Sequence, residues 1–162
     1  MRLLFAVASA VLTACTSNRP PVVPTADAEA EVRRALDDFH DAAAKADEAR
    51  YFAHFAKDGV FLGTDATERW DVAAFRAYAH PHFAKGKAWT MRAKVRFVVV
   101  RGDVAWFDEA LETEKLGPAR GSGVLVREGG VFKLAQYNLA ITVPNERFGA
   151  VRALLESPSP NP

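Results

Sequence analysis

The sequence predicts an α+β domain in which helices cover one face of an antiparallel sheet. The first observation is that residues 89–143 form four successive segments with strand-like patterns, joined by short turns. Because parallel neighbours need long crossover connections, four strands with short turns predict an antiparallel meander. The second observation is that residues 25–80 carry apolar side chains at helical spacing, so most of the helical structure precedes the sheet.

The N-terminus resembles a bacterial lipoprotein signal. Arg2 supplies a positive charge, and residues 3–11 form an apolar run that is too short to span a bilayer. The run ends in Leu12-Thr13-Ala14-Cys15, which resembles the lipobox motif, where cleavage precedes a cysteine that is then lipidated. Since Cys15 is the sole cysteine, we expect residues 1–14 to be a lipoprotein signal peptide. The alternative is an ordinary signal peptide that leaves Cys15 as a free thiol.

Residues 15–24 would connect the lipid anchor to the folded domain. Residues 16–24 contain three prolines and no apolar periodicity, which is typical of a flexible tether. One acyl chain binds a membrane weakly, whereas bacterial lipoproteins typically carry several, so the anchor would be permanent. Everything after Cys15 would then face the periplasm or the cell exterior, and the sequence leaves open which membrane holds it.

Three helices are predicted before the long strands. The first covers residues 25–46, with an apolar stripe at Val32, Leu36, Phe39 and Ala43. Asp47 begins a second short helix, and Asp71 is the expected N-cap of a third. Pro81 is expected to end or kink the third helix near Ala79, because proline has no backbone N–H.

The remaining elements complete the predicted domain, which spans residues 25–156. A short strand is expected at residues 60–62, and the long strands at about 89–100, 104–113, 121–128 and 131–143. Gly117 and Pro118 are expected to lie in the turn after the second long strand. A last helix begins at Asn145, and residues 157–162 form a proline-rich tail that is expected to be disordered.

This order of elements resembles the SnoaL-like branch of the nuclear transport factor 2-like superfamily over about residues 27–145. The similarity includes Lys57-Asp58-Gly59-Val60-Phe61 after the second helix and Gly102-Asp103-Val104-Ala105-Trp106 at the second long strand. The resemblance implies a cone-shaped curved sheet of four long strands plus a short one, with helices packed on its concave face. The same fold serves cyclases, isomerases, dehydratases, ligand binders and interaction modules, so function has to come from the site.

The fourth long strand offers two candidate ligand contacts. Gln136 and Asn138 share a strand face with Phe132 and Leu134, so both amides are expected to point into the cone. They would be polar contacts for a ligand; alternatively, they satisfy buried backbone groups or pair with each other. Further candidates for ligand binding are Trp106, Tyr78 and Trp70.

Asp108 is the candidate acid–base residue, because it shares a strand face with Trp106. Aromatic walls would remove solvent and raise the pKa of the Asp108 carboxyl, as general acid–base catalysis requires. Known enzymes of the superfamily use an inward carboxylate in this way. The alternative is a solvated or salt-bridged Asp108 on the outer face, since a slip of one residue would exchange it for Glu109.

Several classes of function are not expected. His80 and His82 do not share a helical face and have no third ligand nearby, so we expect no zinc site. With 21 basic and 20 acidic residues, the chain shows no overall basic character that would favour nucleic acid.

We therefore expect a membrane-anchored protein that binds a small, partly apolar molecule in the cone without a cofactor. One alternative is a cofactor-independent acid–base enzyme of the cyclase, isomerase or dehydratase type. Another is an interaction module in which the sheet forms a homodimer.

Overall fold

The computed structural model describes residues 25–157, so the predicted signal peptide, Cys15, the tether and the tail from residue 158 onward lie outside the described residues. In chain order the elements are α1 (Thr25–Ala44), α2 (Glu48–Ala53), β1 (Phe55–Leu62), β2 (Arg69–Asp71), α3 (Val72–Ala84), β3 (Met91–Arg101), β4 (Val104–Thr113), β5 (Gly117–Glu128), β6 (Val131–Ile141) and, after a 3₁₀ turn at Asn145–Arg147, α4 (Phe148–Glu156).

The strands form one curved sheet that does not close, in the order β2-β1-β6-β5-β4-β3. The α+β prediction, with helices against one face of a curved sheet, is confirmed, since α1 and α3 bury side chains in the same core as the long strands. Two details differ. The sheet gains β2, and β1 pairs with β6 in parallel, while every other pair is antiparallel.

Local sequence signals define the predicted helix starts. Asp47 accepts a hydrogen bond from the Arg50 backbone N–H at 3.1 Å, and Asp71 accepts one from Ala74 at 2.8 Å. Both carboxylates satisfy an N–H that the first turn of a helix leaves free, as predicted. The apolar stripe of α1 is also confirmed, because all four of its residues are buried.

The prolines do not end the elements that contain them. The expected end of α3 near Ala79 is wrong, because the helix continues through the exposed Pro81 to Ala84 and its last turn is held by Phe83, whose buried ring lies 5.2 Å from the Tyr51 ring. Pro118 lies inside β5 rather than in a turn. Its carbonyl still accepts a hydrogen bond from Thr142 N–H at 3.1 Å, so the strand loses only one donor.

Two β-bulges decide which side chains enter the cone. The pairing of β3 with β4 skips Lys94, and the pairing of β6 with β5 skips Ala135. Because side chains alternate along a strand, each inserted residue moves all later side chains to the opposite face. Arg96 therefore points inward and Phe97 outward, the reverse of the predicted alternation.

The interior of the cone is mostly filled by aromatic side chains. These buried rings are Phe39, Tyr51, Phe52, Phe55, Phe61, Phe75, Phe83, Phe107, Phe132 and Tyr137. Helices α1–α3 and strands β1, β4 and β6 contribute them, so the core ties the helical layer to the centre of the sheet. An open cleft lies beside these rings, between α3, β2 and the β4–β5 turn.

Candidate functional site

The cleft has a volume of about 240 Å³ and lies between α3, β2, the start of β3 and the β4–β5 turn. Its lining is Phe61, Gly63, Thr64, Glu68, Trp70, Phe75, Tyr78, His82, Ala88, Trp89, Thr90, Met91, Thr113, Glu114, Lys115, Leu116 and Leu139. The volume corresponds to the space of about eight liquid water molecules. The site is therefore suited to a small molecule rather than to a polymer.

The inner wall of the cleft consists of nearly parallel aromatic rings. Phe61 stacks on Phe75 with centroids 3.9 Å apart and an interplanar angle of 13°. Trp70 lies at 9° to Phe75 and stacks on Tyr78 at 4.7 Å, while Trp89 lies at 25° to Phe75. Because these rings stack on one another, they form a continuous apolar wall along the inner side of the cleft.

The mouth of the cleft is polar. Glu114 and Lys115 are exposed on the β4–β5 turn, and His82 is exposed on α3. Glu68 is half-buried on the opposite side and accepts a hydrogen bond from the Asp65 backbone N–H at 3.2 Å. The site thus combines an apolar interior with polar groups at its rim, the usual arrangement of small-molecule sites.

A buried polar cluster lies behind this wall and is centred on Glu109, whose side chain is 0% exposed. One carboxylate oxygen lies 2.6 Å from His40 Nε2 and accepts from the Tyr137 hydroxyl at 3.2 Å. The other accepts from Arg96 Nε at 2.7 Å. The Tyr137 ring in turn stacks 5.7 Å from Phe61, one ring layer away from the cleft.

The partners of Glu109 keep its carboxyl ionised. Burial raises its pKa, but the hydrogen bond and charge of His40, followed by the charge of Arg96, outweigh this, so the pKa lies below its ordinary value. Burial and the adjacent Glu109 charge together raise the pKa of Tyr137 well above its usual range. The Tyr137 hydroxyl therefore stays protonated and acts as a donor.

The cluster connects α1 to the sheet. Arg96 also donates to the Asp37 carboxylate at 2.7 Å and to the Arg33 carbonyl at 3.1 Å, both on α1. Gly121 gives Glu109 room, since a Cβ there would lie 2.8 Å from the carboxylate and would also overlap the Tyr137 hydroxyl. The side chain of Glu109 is buried and does not line the cleft. Because it is held by three partners, we assign it a structural role.

The expectation that Asp108 faces the cavity is wrong. Asp108 and Trp106 lie on the convex face of the sheet, with Trp106 45% exposed, whereas Phe107 and Glu109 point inward. The physical reason is that the face bearing Ala105, Phe107 and Leu111 is the one buried under the helices, and Arg96 and His40 satisfy the single carboxylate on it.

Gln136 and Asn138 also point outward. The bulge at Ala135 places Tyr137 and Leu139 inward instead, so the two amides lie on the convex face beside Val124 and Ser122. The expectation that they enter the cone is therefore wrong. Tyr78 and Trp70 do line the cleft, which leaves them as the predicted ligand contacts that the structure brings together.

Residue patterns alone did not single out the cluster. His40 follows Leu36 by four residues on the buried stripe of α1, and this spacing is the one signal that could have found it. Arg96 is the buried cation of the cluster. Its actual position depends on the bulge at Lys94.

The histidines beside Pro81 separate as their spacing predicts. His80 faces α2 and its Nδ1 lies 2.7 Å from the Glu48 carboxylate, whereas His82 lines the cleft. Among residues 25–157, no group of three or more His, Cys, Asp or Glu side chains is placed to hold a metal ion. None of the helices in this part of the chain is long and apolar enough to cross a membrane.

Comparison with known proteins identifies the domain. The family model described as the SnoaL-like domain matches residues 32–144. No curated protein matches the chain. Among solved structures, a nuclear transport factor 2-like protein of unknown function from Pseudomonas putida is 16% identical, with a TM-score of 0.65 over 75% of this chain and 92% of that chain.

Two further solved structures share the fold. A domain of unknown function with a cystatin-like fold from Nostoc punctiforme is 17% identical, with a TM-score of 0.65 over 84% of this chain and 90% of that chain. A protein of the nuclear transport factor 2-like family from Streptomyces avermitilis is 14% identical, with a TM-score of 0.62 over 75% of this chain and 100% of that chain. At these identities the similarity establishes the architecture and not the activity.

Proposed function

The chain belongs to the SnoaL-like domain family, and we propose that its domain binds a small, partly apolar molecule in the cleft between α3, β2 and the β4–β5 turn. The observation that carries this proposal is the aromatic wall formed by Phe61, Trp70, Phe75 and Tyr78. An apolar wall favours a ligand with a hydrocarbon part, because the loss of hydration on both partners stabilises the complex.

The polar rim would orient the ligand. Thr64, Glu68, Thr113 and Lys115 line the cleft and offer hydrogen-bond donors and acceptors. Binding is favoured over acid–base catalysis, because Asp108 lies on the convex face and Glu109 is fully occupied by its own partners. A binding role needs only the shape and polarity of the cleft.

Trp70→Ala is expected to weaken ligand binding about tenfold or more, since a stacked aromatic side chain contributes about 1–3 kcal/mol to such contacts. Native mass spectrometry of residues 25–162 measures the fraction that retains a co-purified molecule. The matched control is Trp106→Ala, which removes the same side chain from the convex face and should retain the molecule. Equal retention by both variants would contradict the proposed site.

We also propose that Cys15 carries the lipid anchor, on the strength of the lipobox resemblance at residues 12–15. Cys15→Ser should abolish incorporation of a labelled fatty acid into the protein, because the cysteine thiol is the proposed site of acylation. Labelling of cells followed by immunoprecipitation measures this change. Ser17→Ala is the control that should still incorporate the label, and a labelled Cys15→Ser protein would exclude the anchor at Cys15.

A homodimer is the second candidate, and an exposed apolar surface favours it. We define the convex patch as Val95, Phe97, Val99, Val104, Trp106 and Val124, which lie side by side on β3, β4 and β5. Phe97 is 64% and Val95 52% exposed. A continuous apolar surface of this kind is typical of protein–protein contacts. Its isologous self-association would leave the cleft, on the opposite side of the sheet, accessible.

A further inference from the structure

Helix α4 has an apolar side without a stable packing partner in the described part of the chain. None of its nine residues is buried, and Leu154 and Leu155 are 73% and 80% exposed. Phe148 lies on the same helix and is also exposed. Isolated helices shorter than about 12–15 residues are marginal in water, so a nine-residue helix with this composition needs an apolar surface to pack on.

The chain segment that precedes α4 begins close to the rim of the cleft. Strand β6 ends at Ile141, two residues beyond Leu139, which lines the cleft. The next residue, Thr142, donates its N–H to Pro118, and Pro118 follows Leu116, another lining residue, by two positions. The chain that leads into α4 is therefore held at the end of β5 and β6 that forms one wall of the cleft.

The connection is long enough for α4 to reach the mouth of the cleft. Residues 142–144 are extended and residues 145–147 form the 3₁₀ turn. Together they can span about 16 Å at about 3.3 Å per extended residue and about 2.0 Å per 3₁₀ residue. The helix itself is about 14 Å long at about 1.5 Å per residue, which exceeds the width of a small-molecule cleft.

Between its polar groups, the rim also carries exposed apolar side chains. Tyr78 is 50% exposed on α3 and Leu116 is exposed on the β4–β5 turn, while Ile141 is exposed two residues beyond the lining residue Leu139. Covering these side chains with α4 would remove apolar surface from water on both partners.

We propose that α4 folds across the mouth of its own cleft and that Phe148, Leu154 and Leu155 complete the ligand site as an apolar lid. This inference rests on the proposed binding function of the cleft. In the closed state the ligand would contact aromatic rings on its inner side and the leucines of α4 on its outer side. The connection at residues 142–147 is the segment that absorbs the change in backbone direction.

A membrane surface is a less suitable partner for α4. The predicted tether joins the domain at the start of α1, and Glu31 in the second turn of α1 accepts from Arg127 at 3.1 Å. Arg127 also donates to the Gly130 carbonyl at 2.7 Å, in the β5–β6 turn. The tether therefore enters at that end of the sheet, whereas α4 leaves from the opposite end of β6.

Disulfide trapping tests whether α4 reaches the rim. In the full chain carrying Cys15→Ser, the pair Leu116→Cys and Leu155→Cys is expected to form a disulfide under mild oxidation, since closure brings the Cα atoms to about 4.4–6.8 Å. The control pair is Val131→Cys with Leu155→Cys, because Val131 is also exposed but lies at the β5–β6 turn. The lid proposal is rejected if the Leu116–Leu155 disulfide does not form, or if the two cysteine pairs give the same disulfide yield.

A fluorescent probe tests whether the lid contributes to binding. Trp106→Phe leaves Trp70 and Trp89, both in the cleft wall, as the only tryptophans. Energy transfer from them to 8-anilinonaphthalene-1-sulfonate then reports dye bound to the domain, and the share that persists in Phe97→Lys is dye bound away from the convex patch. The double variant Leu154→Ser, Leu155→Ser should lower the affinity for the dye about tenfold, whereas the control Val131→Ser should leave this affinity unchanged. Equal dye affinities in the double variant and the control would show that α4 does not contribute to binding.

The two proposals fail separately. If no energy is transferred from Trp70 and Trp89 to the dye, the cleft does not bind the dye and the proposed function loses its support. The disulfide yields still decide, in that case, whether α4 packs on the rim. If the dye binds and the Leu116–Leu155 disulfide does not form, the binding site stands and the lid is rejected.

Discussion

Glu109→Gln is expected to lower the free energy of unfolding by about 3–5 kcal/mol, which corresponds to a fall in Tm of about 10–20 °C. The variant removes the buried charge that compensates Arg96, whose side chain is 7% exposed, and it also disturbs the contact with His40. Arg96 then keeps only Asp37, whose exposed carboxylate compensates a buried cation weakly, so the cost exceeds what an exposed ion pair contributes. Thermal unfolding followed by circular dichroism measures the change.

Glu112→Gln is the matched control for this experiment. It lies on the same strand, but its side chain is exposed and pairs with Lys94 at 2.7 Å on the convex face. Its Tm should stay close to that of the unaltered protein, because solvent screens such pairs. A similar small effect for Glu109→Gln would show that the buried cluster does not hold α1 on the sheet.

Glu109→Gln should also change how the free energy of unfolding depends on pH in the acidic range. The pKa of Glu109 is lower in the folded protein than its ordinary value, so the unfolded chain takes up the proton first as the pH falls. The stability that Glu109 contributes is present above the unfolded pKa of about 4.3 and is lost as the pH falls through the folded value. Glu109→Gln should therefore show a weaker dependence of Tm on pH in that range.

Phe97→Lys is expected to weaken self-association about 100-fold or more and to leave a monomer. Phe97 is the most exposed side chain of the convex patch, and burying a lysine ammonium in an apolar interface costs several kcal/mol even beside Asp108. The monomer should tolerate the lysine, because Asp108 lies directly opposite on β4. Sedimentation equilibrium over a range of concentrations measures the dissociation constant.

Phe148→Lys is the control for the dimer, since this phenylalanine is also exposed but lies on α4. It should leave the dimer intact. If the unaltered protein is a monomer at every concentration, the convex patch is not a self-association surface. If Phe97→Lys and Phe148→Lys associate equally, association occurs through another surface.

Several elements follow from local sequence. Asp47 and Asp71 cap their helices because a carboxylate before a first turn accepts a free backbone N–H, whatever lies around it. The stripe of α1 is buried because its spacing places all four apolar residues on one side. These interactions span a few residues, so the pattern along the chain contains them.

The identity of the inward residues was decided by tertiary structure. The alternation along β3 and β6 predicts the opposite face after Lys94 and Ala135, because a bulge depends on the register of the neighbouring strand. In β4 both faces carry a carboxylate, and only the contacts of Glu109 with His40 and Arg96 show which one is inside. The sequence by itself determined the helix caps, the α+β class and the family resemblance. Tertiary packing decided which polar side chains are buried, since a buried charge is stable only where distant residues compensate it.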